Sequence, residues 1–408
     1  MKVLIGTPVH NKKDRAIKKW LRNVVKLTYP ADILLVDSSP DLSYVDKIKG
    51  YCKKYKVKNC RIEHLEINQE LGVDERTNRS REIIRQEVLS KDYDAWFSWE
   101  CDRPIPADTL SKLIKMMKKE KYSIIHQIFG VLRVPIEFKI SFDCTLVNRE
   151  CLEKYGFLLE YPGMPDCWHP VGSWFKKQVV DDGGSYVEVY GTIGPIRDKG
   201  ARKMKVLVGA AIHQVKDYGM ERWLKNVSKL EYPADLLMVD NTSNPDYFKK
   251  VRKYCNKYAI RNYKLVHLSL DPDLHPDRKV EMSQEIIRQE ILTHDYDAWF
   301  SWECDQLIPT DALDRLVSMM NSGGFMMVNH NGWVRDNPGI TCTDFNVSLV
   351  SRKCFEKYSF LLQLSFDHSE IPKKWECGEI WIKKQVLKGG GSILEAEGVI
   401  DPIYHLSK

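Results

Sequence analysis

The residues of this chain best suited to chemistry are two carboxylates separated by one position, just beyond an aromatic-rich strand. They occur twice, as Glu100-Cys101-Asp102 and Glu303-Cys304-Asp305. Alternate side chains of an extended segment point to one side. Each Glu and Asp therefore faces one way, and the Cys between them faces the core. At the mouth of a crevice such a pair holds a hard divalent cation. Mn2+ or Mg2+ suits it, because each accepts few protein ligands and leaves coordination sites for a diphosphate. The plainer reading of an isolated pair is a solvated turn or a helix cap, and Asp108 and Asp311 fit that description. The pair is retained in both halves of the chain while much around it changed, and this favours metal binding.

The two halves are one unit written twice. Ten residues, Tyr93 to Asp102, recur unchanged as Tyr296 to Asp305. The same offset of 203 aligns Asp37 with Asp240, Cys52 with Cys255 and Cys151 with Cys354. Later the offset becomes 207, aligning Trp168 with Trp375 and Trp174 with Trp381, so the second copy has gained about four residues near 365–373. A repeat of this kind governs the reading of everything else. The copies are expected at 1–200 and 204–408, joined by the charged, Gly-containing stretch 197–203.

The elements that must position the carboxylates alternate between strand and helix. Val3 to Ile5 and Ile33 to Val36 read as buried strands. Ile17, Trp20, Leu21, Val24 and Val25 repeat at helical spacing. Ile83, Ile84 and Val88 mark a helix leading into the strand Ala95 to Trp99. Such alternation implies an α/β fold, with a mostly parallel central sheet flanked by helices in each copy. Ligands of these sheets bind at the carboxyl ends of the strands, near a switch in strand order. Thr7 to His10, Asp37 and Glu100 to Asp102 then surround one crevice. Trp96, Trp99, Trp299 and Trp302 are expected to pack in the core rather than stack on a sugar or base.

With these motifs in order, each copy resembles a GT-A-fold (Rossmann-like) glycosyltransferase, most similar to the family 2 type of inverting enzymes. Thr7-Pro8-Val9-His10-Asn11 resembles the opening strand and turn, and Val36-Asp37-Ser38-Ser39 the second strand, whose Asp contacts the base. Glu100-Cys101-Asp102 with Pro104 to Leu110 resembles the metal motif and the helix after it. The resemblance implies nucleotide-sugar contacts at Thr7, His10, Asp37, Arg76 and Arg79, and at His213, Asp240 and Lys279 in the second copy. It implies metal ligands at Glu100, Asp102, Glu303 and Asp305, with His405 as a third ligand, and a catalytic base at Glu379. The first copy has Gly172 where the second has Glu379, and Asp198 where it has His405; Asp166 and His169 stand nearby without matching the motif. The imbalance reverses at the front. There Thr7-Pro8 becomes Ala210-Ala211, and Arg76, Arg79 and Arg81 become Lys279, Met282 and Gln284. Arg103, beside the first motif, becomes Gln306 and is a candidate partner for Glu100 or Asp102.

The expected activity is therefore transfer of a sugar from a nucleotide-diphosphate donor, of UDP- or GDP-sugar type, to an acceptor hydroxyl. The second copy is the catalytic one and the first is degenerate at its C-terminal elements. Alternatives are a non-catalytic nucleotide-sugar-binding module or a sugar nucleotidyltransferase. The latter lacks here the Gly-rich, basic N-terminal loop that cradles a triphosphate. A net charge of +6 over 408 residues is too small to select an acceptor. No apolar run reaches the length of a membrane span. The eleven cysteines show no C-x-x-C pair, and reduced thiols in a cytoplasm are the expectation.

Overall fold

Each copy of the repeat builds a sheet whose central strands are covered on both faces, which is why those strands read as unbroken apolar runs. The computed structural model describes residues 1–128, 142–157, 171–191, 193, 203–271, 273–330, 347–360, 378–400 and 403–407. The described residues divide into two compact units, the first up to Val189 and the second from Tyr190 onward. Most of the stretch 197–203, the extra residues near 365–373, and Asp166, His169, Asp198 and Glu376 lie outside the described residues.

In the first unit the strands are β1 (Val3–Val9), β2 (Asp32–Asp37), β3 (Cys60–His64), β4 (Ala95–Ser98), β5 (Ile124–Ile128), β6 (Thr145–Asn148) and β7 (Tyr186–Tyr190). Their order is β7-β5-β6-β4-β1-β2-β3. β1 runs parallel to both β2 and β4, and β2 to β3; β6 is antiparallel to β4 and β5. The second unit has β8 (Val206–Ile212), β9 (Ala234–Asp240), β10 (Tyr263–His267), β11 (Ala298–Trp302), β12 (Gln306–Leu307), β13 (Met327–His330), β14 (Val347–Ser351), β15 (Ile393–Glu397) and β16 (Tyr404–His405). Its main sheet runs β15-β13-β14-β11-β8-β9-β10, and β12 pairs with β16 separately. Among the described strands of that main sheet β14 alone is antiparallel, to β11 and β13, and β12 and β16 also pair antiparallel. Strand order reverses beside β1 and beside β8, so the crevice opens at the carboxyl ends of β1 and β4, and of β8 and β11.

The first helix, Asp14–Val24, buries Ile17, Trp20, Leu21 and Val24 along one stripe. Val25 lies past its end and faces solvent, contrary to its place in the apolar spacing. Helix Val73–Ser90 lays Ile84 and Val88 on the sheet. Gly6 makes this approach possible. A Cβ there would stand 2.2 Å from Ile84 Cγ2 and 2.6 Å from Trp96 Nε1, and Gly209 is confined in the same way by Ile287 and Trp299. All four tryptophans of the repeated decapeptides are buried. Trp96 and Trp299 donate to the Gly6 and Gly209 carbonyls at 3.1 and 2.9 Å, and Trp99 and Trp302 to those of Arg103 and Gln306. They are core residues that brace the carboxylate motif.

Two buried imidazoles give the fold a pH dependence. His126 on β5 lies 3.2 Å from the Tyr186 hydroxyl, and His330 Nε2 accepts from the Ile400 N–H at 3.0 Å. Burial lowers their pKa values to about 4 and about 3. A folded pKa below the unfolded value near 6.5 means the unfolded chain binds more protons on acidification. The stabilisation is complete above pH ~6.5 and is lost as pH falls toward 4. For His126 it amounts to about 3 kcal/mol at most. His126→Asn installs the residue found at the matching position, Asn329. Urea midpoints measured between pH 7 and pH 4 should fall less steeply for this variant than for the parent.

Candidate active site

The carboxyl end of β11 carries Glu303 and Asp305, and a lysine from the turn after β8 reaches between them. Lys216 Nζ lies 2.9 Å from Glu303 Oε2 and 3.1 Å from Asp305 Oδ1. The Tyr218 hydroxyl donates to the other Asp305 oxygen at 3.1 Å. Burial works against the Lys216 ammonium, but Glu303 and Asp305 outweigh it and raise its pKa. The first unit repeats the arrangement more loosely. Lys13 Nζ is 3.0 Å from Asp102 and 3.8 Å from Glu100. Lys13 and Lys216 are one repeat offset apart. Sequence reasoning missed both, although their retention beside retained acids was a usable signal.

Asp305 is far more enclosed than Asp102, its side chain being 9% exposed against 45%. Two features account for this. Gly219 lets helix Asp217–Val227 close on the motif, since a Cβ there would meet the Cys304 carbonyl at 2.8 Å. The first unit has Ala16 at that place and a hollow of about 280 Å³ beside Cys101 and Asp102. The short strand β16 also covers the motif, with the Leu406 N–H donating to the Asp305 carbonyl at 2.8 Å. As expected, Cys101 and Cys304 are buried in the core, and burial pushes their thiols up to about 11 and about 12.

A cavity of about 450 Å³ opens above this motif in the second unit. His213, Lys216, Lys279, Gln284, Glu303 and Glu379 line it. Glu379 lies in the first turn of helix Gly378–Lys388, and Gln284 Nε2 donates to its carboxylate. This bond ties the expected base to the helix that precedes β11. His405 reaches the motif through β16, where its Nε2 lies 2.8 Å from Gln306 Nε2. Among the described residues no group of three His, Cys, Asp or Glu side chains is set to hold a metal ion. The oxygens of Glu303 and Asp305 nonetheless converge on a single cation, the Lys216 ammonium. Two carboxylates aimed at one point fit a divalent ion in its place, and His405 stands on the strand paired beside them.

In the first unit the corresponding cavity measures about 200 Å³, with His10, Lys12, Lys13, Arg76, Arg81 and Glu100 in its lining. His10 and His213 are the N-caps of short turns, each Nδ1 accepting from a backbone N–H two residues on at 3.2 Å. Burial lowers the pKa of both. Arg76 lines the cavity while donating to the Gln69 and Leu71 carbonyls at 2.6 and 2.9 Å. Arg79 does not line it. It is half exposed and pairs with Glu75 at 2.7 Å on its own helix.

Three other expected contacts are turned inward. Thr7 is fully buried, its hydroxyl donating to the Trp99 carbonyl at 2.8 Å, and Ala210 replaces it in the second unit. Asp37 and Asp240 have no exposed surface. Each accepts at one oxygen from the N–H and hydroxyl of the residue two on, Ser39 or Thr242. At the other oxygen stands the imidazole of His64 at 3.0 Å or His267 at 2.9 Å. These aspartates organise the strand-end turn, and the half-buried histidines are the groups nearer the surface. Arg103 pairs with Asp143 at 3.0 Å rather than with Glu100 or Asp102. Burial, then the neighbouring Glu100, push the Asp143 carboxyl up to about 7.

No family model matches the chain, and no curated protein matches it. Solved structures do match in part. TarS 1–349 from S. aureus is 16% identical with a TM-score of 0.30, over 38% of this chain and 49% of that one. Mannosyltransferase PcManGT from Pyrobaculum calidifontis, in complex with GDP-Man and Mn2+, is 12% identical with a TM-score of 0.37, over 50% and 57%. A mycobacterial protein is 11% identical with a TM-score of 0.35, over 52% and 73%. The chain spans about half the length of the solved structures it matches first.

Proposed function

We propose that the chain is a tandem pair of GT-A-like domains, 1–200 and 204–408, and that the second transfers a sugar from a nucleotide-diphosphate donor to an acceptor hydroxyl. The observation that carries this reading is the meeting of Glu303 and Glu379 on one cavity at the carboxyl ends of β8 and β11. Its volume falls within the range of about 300–1,000 Å³ typical of ligand pockets. The order of motifs along the sequence supports the same assignment.

In this mechanism Lys279 faces the donor diphosphate, as does Lys216 once a divalent cation takes its place between Glu303 and Asp305. Glu379, held by Gln284, accepts the proton of the acceptor hydroxyl as its oxygen bonds to the anomeric carbon. The bond from that carbon to the diphosphate oxygen breaks on the opposite side, so the configuration inverts and a nucleoside diphosphate departs. A divalent cation, Mn2+ or Mg2+, held by Glu303 and Asp305 with His405, would neutralise charge on that leaving group. The first unit carries Gly172 in place of Glu379 and so lacks this proton acceptor. Release of nucleoside diphosphate from a panel of nucleotide sugars tests the proposal.

A further inference from the structure

The two cavities occupy the same place in the repeat and differ in electrostatic equipment. Four cations, Lys12, Lys13, Arg76 and Arg81, line the first against one carboxylate, Glu100. The second has two cations, Lys216 and Lys279, against two carboxylates, Glu303 and Glu379. Among the described lining residues the first is therefore more positive by three charges. Three exchanges produce the difference: Lys12 for Val215, Arg81 for Gln284, and Gly172 for Glu379.

Arg81 is the centre of this contrast. It is 8% exposed, and its Nε–H has no hydrogen-bond partner among the described residues. Among the described residues it pairs with the Glu100 carboxylate at 3.9 Å, beyond hydrogen-bonding distance. A buried guanidinium with an unmet donor is costly unless an acceptor arrives. Glu100 is also drawn away from the point on which its counterpart converges. Lys13 stands 3.8 Å from Glu100, whereas Lys216 stands 2.9 Å from Glu303. The first motif is thus a poor cradle for a divalent ion and is surrounded by charge that would repel one. Its cavity is also below the ~300 Å³ at which pockets engulf a drug-sized ligand.

We infer that the first unit holds a diphosphate group directly through Lys12, Lys13, Arg76 and Arg81, without a divalent cation. The chain's own cations supply there what a metal supplies in the second unit. Charge-assisted hydrogen bonds from guanidinium and ammonium groups are the strong ones for phosphate. The inference rests on the proposed function only in treating the two cavities as counterparts for a diphosphate.

The test is calorimetric titration of the intact chain with inorganic pyrophosphate in EDTA. Saturable binding of about one pyrophosphate per chain is expected. Lys12→Val, at an exposed position, and Arg81→Gln, the residue of the other copy, should each weaken it by about tenfold or more. Displacement by UDP or GDP assigns the site to a nucleotide, and persistence of pyrophosphate against both assigns it to free phosphate; either outcome supports the inference. Binding that appears only after Mn2+ is added overturns it, as does chelator-resistant binding that neither substitution weakens. These results are separable from the functional proposal. Pyrophosphate binding in EDTA, together with no donor cleavage when Mn2+ is supplied, refutes the transferase and supports the diphosphate site.

Discussion

Glu379→Gln should lower the turnover number by about 100- to 10,000-fold, the range that a positioned general base contributes, while the donor dissociation constant stays within about twofold. The amide oxygen introduced by this substitution can still accept the Gln284 N–H that holds Glu379 in the cavity, so the side chain keeps its place. Only its basicity goes. Steady-state kinetics with a saturating acceptor separates the two parameters. A fall in turnover with unchanged donor affinity marks an interaction made only in the transition state. Retained turnover would remove Glu379 from the base role.

Asp305→Ala and Asp102→Ala, made separately, should behave differently. Asp305 is enclosed by Lys216, Tyr218 and β16. Its loss releases the ammonium that it shares with Glu303 and removes half of the cation cradle. Even groups that only support the ligands of a metal site are worth about 10- to 100-fold in metal affinity or activity, so turnover should fall by roughly 30-fold or more. Asp102 is half exposed, and its unit has Gly172 where the base belongs. Turnover of Asp102→Ala should therefore stay within about threefold of the parent. Melting temperatures of both variants control for folding. Loss of turnover in Asp102→Ala alone would reverse the assignment of the units.

The parallel part of each sheet was legible because β1, β2 and their counterparts are apolar on both faces, and because helix Asp14–Val24 shows its stripe. The antiparallel strands β6 and β14 were not. A four- or five-residue apolar segment carries no information about the direction of its partner. Glu100, Asp102, Glu303 and Asp305 were legible as a motif, yet the Lys13 and Lys216 clamps were not, since a long flexible stem hides where an ammonium comes to rest. Asp37 and Asp240 show the converse. Their strand-end position suggested a ligand contact, but their partners His64 and His267 come from the neighbouring strand through pairing register. Register is a tertiary property. Arg79 read as one of three basic residues, and helix geometry gave it to Glu75, four positions earlier.

The central claim is that the second unit cleaves a nucleotide-diphosphate sugar. The most direct measurement is chromatographic quantification of nucleoside diphosphate released from a panel of UDP- and GDP-sugars by the intact chain with Mn2+. The account predicts release from at least one donor, and its loss in Asp305→Ala. A donor that binds the second unit and is returned uncleaved, with and without candidate acceptors, would contradict it and identify a binding module instead.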